Sequence, residues 1–427
     1  MKVKLPLLVT GLYLLSIIPF NCFADVPENK PDANTPVRLD DYLRCAAMNN
    51  AGLKAAFEQW KAAVEQVPQA KALPEPQISY GYATESTPQR KMFEAMQMFP
   101  WFGTIEARGE VASIEAKAAY KQFEAKKLEL FYEVKQTFYE YSYLAKATDI
   151  TKESLALMRH FEEVARTRYA TSATAHPDII RAQIELAMVD NRLKGLEELR
   201  PAIVARLNSI LNRPTAGDLS WPVAPEYKEI TIDSQKLLAD AAKNNPQLQS
   251  LRYDIEAARG SQKLAGKRFY PDIGIGVGVD SGMGDNMSDR VMAKVALTIP
   301  IWRDNYKAMQ RQARAQINKA TQEKIQLENT ISARVKQAVY EYQNSNREIR
   351  LYRDIVIPKA KEMLAASETA YRGGTVDFLS LLDAQRSLLQ YQLEYEKAVA
   401  ENAQRLAEIE MLAGVELTKI KERQEQQ

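Results

Sequence analysis

A chain of 427 residues carrying 57 Lys and Arg against 55 Asp and Glu, for a formal charge of +2, offers no electrostatic footprint for nucleic acid. Two histidines and two cysteines leave little material for a metal centre or a nucleophile with its base, so an enzyme reading and a bound cofactor are not expected. A negative mean hydropathy argues against a bundle of membrane-spanning helices.

Residues 1–24 read as a cleaved secretory signal: the basic "MKVK", the apolar "LPLLVTGLYLLSIIPF", and small residues in "NCFA" before Asp25. Lipidation at Cys22 ranks second, because Asn21 is not the small residue such signals place before their cysteine. Without Cys22, Cys45 stands alone and no intrachain disulfide is possible. No later apolar run approaches the ~20 residues of a bilayer-spanning helix, so a membrane location would have to come from β-strands.

The rest is written twice, at a shift of about 195 residues. The first repeat, 25–212, opens with a helix expected over Leu39–Leu73. A strand follows in which Ile78, Tyr80 and Tyr82 alternate with Gln77, Ser79 and Gly81, then a less regular return segment, "MFEAMQMF". "MFPWFGT" (Met98–Thr104) punctuates the end of the hairpin, its proline breaking the ladder and Trp101 suiting a membrane boundary. A stretch over Ile105–Ala170, interrupted only by Gly109, reads as one helix on the order of 100 Å long. Phe131, Val134, Phe138 and Tyr141 give it the three-four spacing of a coiled-coil seam. His160 and His176 sit in polar, helix-rich sequence and read as surface or helix-end residues. A returning helix is expected over Pro177–Leu211.

Residues 213–233 form a proline-containing polar connection. The second repeat, 234–415, begins with a helix expected over Ser234–Arg268. Its hairpin alternates clearly: Ile273, Ile275, Val277 and Val279 against three glycines, then Val291, Ala293, Val295, Leu297 and Ile299 against Met292, Lys294, Ala296 and Thr298. "TIPIWRD" carries Trp302 where the first repeat has Trp101, and the long helix is expected over Asn305–Arg372 as one unbroken rod. "VKQAVYEY" at Val335–Tyr342 matches "VKQTFYEY" at Val134–Tyr141 in six of eight positions, and Ile331, Val335, Ala338 and Tyr342 repeat the seam. A helix over Val376–Leu412 and a polar tail, 416–427, complete the chain.

Apolar and small or polar residues alternating over about ten positions suit a strand between lipid and a wet lumen. Four such strands are too few for a membrane barrel, and an open sheet would strand backbone groups in hydrocarbon, so the chain has to oligomerise. The inferred object is a conduit. The alternative is a soluble periplasmic coiled-coil scaffold or adaptor, which would lack the strands.

With the paired "NN" helix starts, the hairpins, the "FPWFG" string and the two tyrosine-to-"AQ" turns, nearly the whole mature chain resembles the TolC-like outer-membrane efflux proteins, most of all their heavy-metal or cation branch. The resemblance implies a mainly α fold with a small β part: a homotrimer whose coiled-coil barrel is continuous with a transmembrane β-barrel, four strands per chain. It implies a duct in the outer membrane, its helices in the periplasm, docked to a periplasmic adaptor and an inner-membrane pump; a duct for protein secretion is the variant within the family. It also implies a pore constriction at the helix tips, where Asp383 matches one acidic pore residue, Ser380 replaces another, Tyr371 matches a tyrosine and Asp178 an acidic fastener. Val376 stands where the family has an arginine. A ring of Asp383 side chains would favour cations; the plainer role of Asp383 and Asp178 is to stabilise helix starts. Six methionines, Met92, Met96, Met98, Met283, Met287 and Met292, fall in the hairpins. Thioethers suit Cu(I) or Ag(I), but alternation is not expected to bring these six to one lumen, and no metal ligand is assigned.

Overall fold

The computed structural model describes residues 36–83, 90–170, 176–223, 226–282, 289–415 and 417. The signal segment, Cys22 and nearly all of the polar tail lie outside them. The first repeat contains α1 (Leu39–Asn49), α2 (Ala51–Lys71), β1 (Gln77–Ala83), β2 (Arg90–Phe99), α3 (Thr104–Ala170) and α4 (His176–Ile210). The second contains α5 (Ser234–Asn244), α6 (Pro246–Lys267), β3 (Asp272–Gly282), β4 (Arg290–Thr298), α7 (Arg303–Leu351), α8 (Ile357–Gly373) and α9 (Phe378–Ala413).

The opening helix of each repeat is two helices, not one. Asn50 and Asn245 interrupt them with ψ of 122° and 120°. Each asparagine then does two jobs: Asn50 Oδ1 accepts the Leu53 N–H at 2.9 Å while its Nδ2 donates to the Ile210 carbonyl at 2.9 Å, and Asn245 does the same with Leu248 (3.1 Å) and Leu412 (3.0 Å). One side chain thus satisfies an orphan donor at the start of one helix and an orphan acceptor at the end of another. The α4 end is spliced to the start of α2, and the α9 end to the start of α6. Gly414, at φ +68°, makes room for the second splice: a Cβ there would sit 2.8 Å from the Asn244 carbonyl oxygen.

The second long helix also departs from expectation, because Pro358 lies inside it. Proline has no N–H for the ladder, and the helix shifts register around it: Tyr352–Val356 is a π-helical turn in which Ile357 N–H donates to the Tyr352 carbonyl. The rod continues as α8 to Gly374, whose φ of +77° ends it.

These elements make an arc of four rods. On the sheet side α3 packs between α2 and α6, with α7 beyond α6; on the far side α3 packs between α4 and α9, with α7 and α8 beyond α9. Gly109 and Gly260 mark close approaches: a Cβ at Gly109 would lie 2.6 Å from the Lys71 stem, and one at Gly260 2.6 Å from Val111. Three buried clusters hold the arc. Val134, Phe138 and Tyr141 of the first seam are fully buried, as are Val335 and Tyr342 of the second to within 1 %; Phe131 is half-buried.

The connection between repeats is strapped to the middle of the rods by the two repeat-related tyrosines. Tyr141 Oη donates to the Leu219 carbonyl at 3.0 Å, and Tyr342 Oη accepts the Ile230 N–H at 2.9 Å. Arg200 lies over Trp221 at 4.7 Å and donates to the same Leu219 carbonyl at 2.8 Å.

The splices generate a stability prediction. Asn245→Ala removes both hydrogen bonds of a buried joint and lowers stability by about 2 kcal/mol, whereas Asn245→Ser keeps the cap and costs about 1 kcal/mol. Denaturant titration of the helical signal in detergent, at matched slopes, measures the difference.

Candidate functional site

Two regions are candidates for function: the sheet at one end of the rods and the helix tips at the other. The sheet is antiparallel in the order β1-β2-β3-β4. Its register aligns Tyr80, Phe93, Val279 and Val291 across one row and Ile78, Ala95, Val277 and Ala293 across another. This face is open: Ile78 is 80 % exposed, Val291 76 % and Val295 73 %. The irregular return segment therefore has a defined sense, with Phe93, Ala95 and Phe99 on the apolar face.

The other face reads Gln77, Met96, Gly276, Lys294 in one row and Ser79, Glu94, Gly278, Met292 in the next. Lys294 pairs with Glu94 at 2.6 Å and Arg90 with Asp280 at 2.8 Å. The four described hairpin methionines share one face. Met92, Met96 and Met98 are an even number of residues apart on β2, and Met292 opposite Gly278 joins them. Met283 and Met287 lie outside the described residues.

The two junctions between sheet and rods differ by position. Trp101 is half-buried, its ring stacked on Tyr270 at 5.0 Å and its backbone N–H donated to Asp272 Oδ1 at 3.0 Å; Gly103 turns the chain at φ +71° while Lys267 donates to the Phe102 carbonyl at 3.0 Å. Trp302, after the outermost strand β4, is 80 % exposed. The same string packs indoors at a central strand and stands open at an edge strand.

At the tips, Tyr371 is 2 % exposed. It packs on Phe378 at 5.2 Å with the Arg168 guanidinium 4.6 Å over its ring, so within one chain it belongs to the tip's core. Val376 is exposed where the resemblance would put an arginine; the guanidinium over Tyr371 arrives instead from the end of α3. Arg372 ties to Glu368 at 2.6 Å and to His160 Nε2 at 2.9 Å. Asp178 is mostly buried and 3.5 Å from Arg181.

Asp377 caps α9, accepting the Ser380 N–H at 3.0 Å and its hydroxyl at 2.6 Å. Those hydrogen bonds from Ser380, hydroxyl first and backbone second, hold the Asp377 carboxyl below its ordinary range. Ser380 and Asp383 occupy one exposed helix face, and the Asp383 side chain is 62 % exposed with Arg386 at 3.7 Å. Arg386 is chiefly engaged elsewhere: its Nε donates at 2.8 Å to Glu185, a side chain only 7 % exposed on α4. Arg168, Glu185, Arg386 and Arg372 were not singled out from sequence, since their partners come from segments far apart in the chain. Among the described residues no group of three His, Cys, Asp or Glu side chains is placed to hold a metal ion, and no described helix is long and apolar enough to cross a membrane.

A short two-faced sheet carried on an arc of very long, internally duplicated helices is the construction of an outer-membrane channel protein. The family model "Outer membrane efflux protein" matches residues 43–213 and 237–415, one match per repeat. The chain belongs to that family, and its place is the cell outer membrane. It is 21 % identical over 396 residues to the cobalt-zinc-cadmium resistance protein CzcC of Cupriavidus metallidurans, covering 91 % of this chain and 93 % of that one. It is 22 % identical over 409 residues to Nodulation protein T of Rhizobium leguminosarum bv. trifolii, covering 89 % and 86 %. Among solved structures, CusC superposes with a TM-score of 0.77 at 16 % identity over 88 % of this chain and 92 % of CusC. VceC of Vibrio cholerae superposes with 0.76 at 17 % identity over 89 % and 96 %. At these identities the superpositions establish the fold.

The Glu185–Arg386 pair supplies a test at the tips. Arg386→Met leaves Glu185 buried without its cation and destabilises the chain by about 3 kcal/mol, while pairing it with Glu185→Leu recovers most of that loss. A double-mutant cycle in denaturant reads the coupling.

Proposed function

We propose that three copies of this chain close into one duct, a β-barrel of twelve strands in the outer membrane continued by a periplasmic tunnel of helical rods. In this reading the duct exports small molecules or metal cations delivered by a periplasmic adaptor and an inner-membrane pump, without bond chemistry of its own. The observation that carries the reading is the sheet with one exposed apolar face, one polar face and two edges. β1 is paired only to β2 and β4 only to β3 among the described residues. Backbone edges do not persist in hydrocarbon, and one chain has half the strands of the smallest membrane barrels.

The rods support the same closure. The α2/α4 side exposes Val64, Ile180, Ile184 and Met188, and the α7/α8 side exposes Ile325, Leu351, Ile355 and Met363. Spacing of four residues in Ile180, Ile184 and Met188 makes a seam for another helix. The two edges are different surfaces, so joining them head to tail generates a ring. Trp302 would then gain at the neighbouring chain the cover that Trp101 has from Tyr270.

Asp383 and Ser380 remain the candidates for the constriction, since they share an exposed face at the tip; Asp178 and Tyr371 would support them from within the protomer. For cargo, the name of CzcC favours metal cations, and a drug or a polypeptide is the competing cargo. Sensitivity of a deletion strain across metals, dyes and antibiotics decides among them.

Purified protein in a planar bilayer tests the channel directly. The reading expects heat-sensitive trimers with discrete conductance steps, and Asp383→Asn to lower cation selectivity by roughly two-fold or more. A soluble, monomeric, non-conducting protein would instead support the periplasmic scaffold.

A further inference from the structure

The four described hairpin methionines divide the sheet in an unexpected way. On the apolar face, which also carries Lys91 and Gln97, the large apolar side chains are Ile, Val, Leu, Phe and Tyr, and none is methionine. On the polar face, among Gln77, Glu94, Asp280, Arg290 and Lys294, the large apolar side chains are Met92, Met96, Met98 and Met292 and no others. If methionine served only as a flexible filler, the lipid-facing rows would accept it as readily.

The sulfurs also converge. Opposite Met98 and Met96 on β3 stand Gly274 and Gly276. A Cβ built on Gly274 would lie 2.7 Å from Met98 Sδ and 3.3 Å from Met96 Sδ, so two thioethers lean over the same side-chain-free spot. Both residues are half-buried rather than sealed. The nearby carboxylates are already engaged, Glu94 with Lys294 at 2.6 Å and Asp280 with Arg90 at 2.8 Å. Asp272, on the same face, accepts the Trp101 backbone N–H at 3.0 Å, and the soft donors here are the sulfurs.

We infer that Met96 and Met98, seated over Gly274, form a soft-cation contact on the inner face of the barrel, selective for a monovalent d10 ion such as Cu(I) or Ag(I) over Zn(II). Two thioethers satisfy an ion that accepts low coordination, and neutral sulfur does not compensate the charge of a harder divalent ion. Met92 and Met292 extend the same face toward the hairpin ends. The placement of this contact in a lumen rests on the channel reading above; the sulfur pair itself does not. Weak binding suits passage, because a conduit has to release what it touches.

Silver titration of the full chain in detergent micelles, with isotope-labelled methionine methyls followed by NMR and assigned by single Met→Leu variants, tests it. The Met96 and Met98 methyls are expected to shift together and saturate before the other methionines, with zinc moving neither. Met96→Leu with Met98→Leu, close in volume, should weaken silver binding by about tenfold. Gly274→Ala keeps both sulfurs but fills the spot on which they meet, and should weaken binding as well. Equal silver affinity in the wild type and these variants, or a response spread evenly over all methionines, overturns the inference. Conductance of the same preparation without silver is read separately: conducting protein with an unresponsive pair defeats this inference alone, and a responsive pair in non-conducting protein defeats the channel reading alone.

Discussion

A strand in hydrocarbon has no water to satisfy its backbone, and that constraint organises everything else in this chain. Four strands alternate in side-chain character so that one face is apolar and the other polar, yet among the described residues β1 and β4 each carry an unpaired edge. In the proposed duct these edges are what the neighbouring chains pair with. The rods repeat the problem in another form: their apolar side chains lie exposed along both flanks, which in the proposed duct face neighbouring chains.

The arc depends on rods of matched length, and the chain reaches that match in two different ways. α3 is a single helix of 67 residues. Its neighbours are composites, spliced end to end by Asn50 and Asn245, or carried past Pro358 by a π turn. An unspliced joint would leave several backbone groups of two helix ends without partners. The asparagine amide is suited to the task because one planar group offers an acceptor to one helix and a donor to the other. Tyr141 and Tyr342 then bind the connecting segment around the joints, so that both repeats are fixed to one another at mid-length.

Much of this was legible in the sequence because it follows period and punctuation. Duplication at a fixed shift, alternation in "DIGIGVGVD" and the seam at Val134, Phe138 and Tyr141 give the repeat, the sheet and the packing face. The first joint was not legible, since nothing local marks Asn50 and its amide is held by a carbonyl 160 residues away; the second carried a signal in Pro246, at the first position of α6, that the reading of one helix passed over. Pro358 shows the reverse failure, a visible breaker that the rod absorbs by a local change of hydrogen-bond step. At the tips the acidic positions could be proposed by resemblance, but Arg168 over Tyr371 and Arg386 on Glu185 are pairings between segments remote in sequence, and no local pattern announces them. The shared face of the methionines needed only the parity of Met92, Met96 and Met98; the convergence of two sulfurs over Gly274 needed the register of β2 on β3.

The central claim is that β1 of one chain pairs with β4 of the next until the ring closes at three. It is tested by placing one cysteine on β1, at Ser79, and one on β4, scanned from Val291 to Val295, in a background from which Cys22 and Cys45 have been removed, and oxidising outer-membrane fractions. The account predicts that at one β4 position, and not its neighbours of opposite facing, the chain is converted to a covalent trimer that resists boiling and returns to monomer on reduction. Intramolecular disulfides in a monomer, or open ladders of dimers and higher species with no accumulation at three, would contradict it.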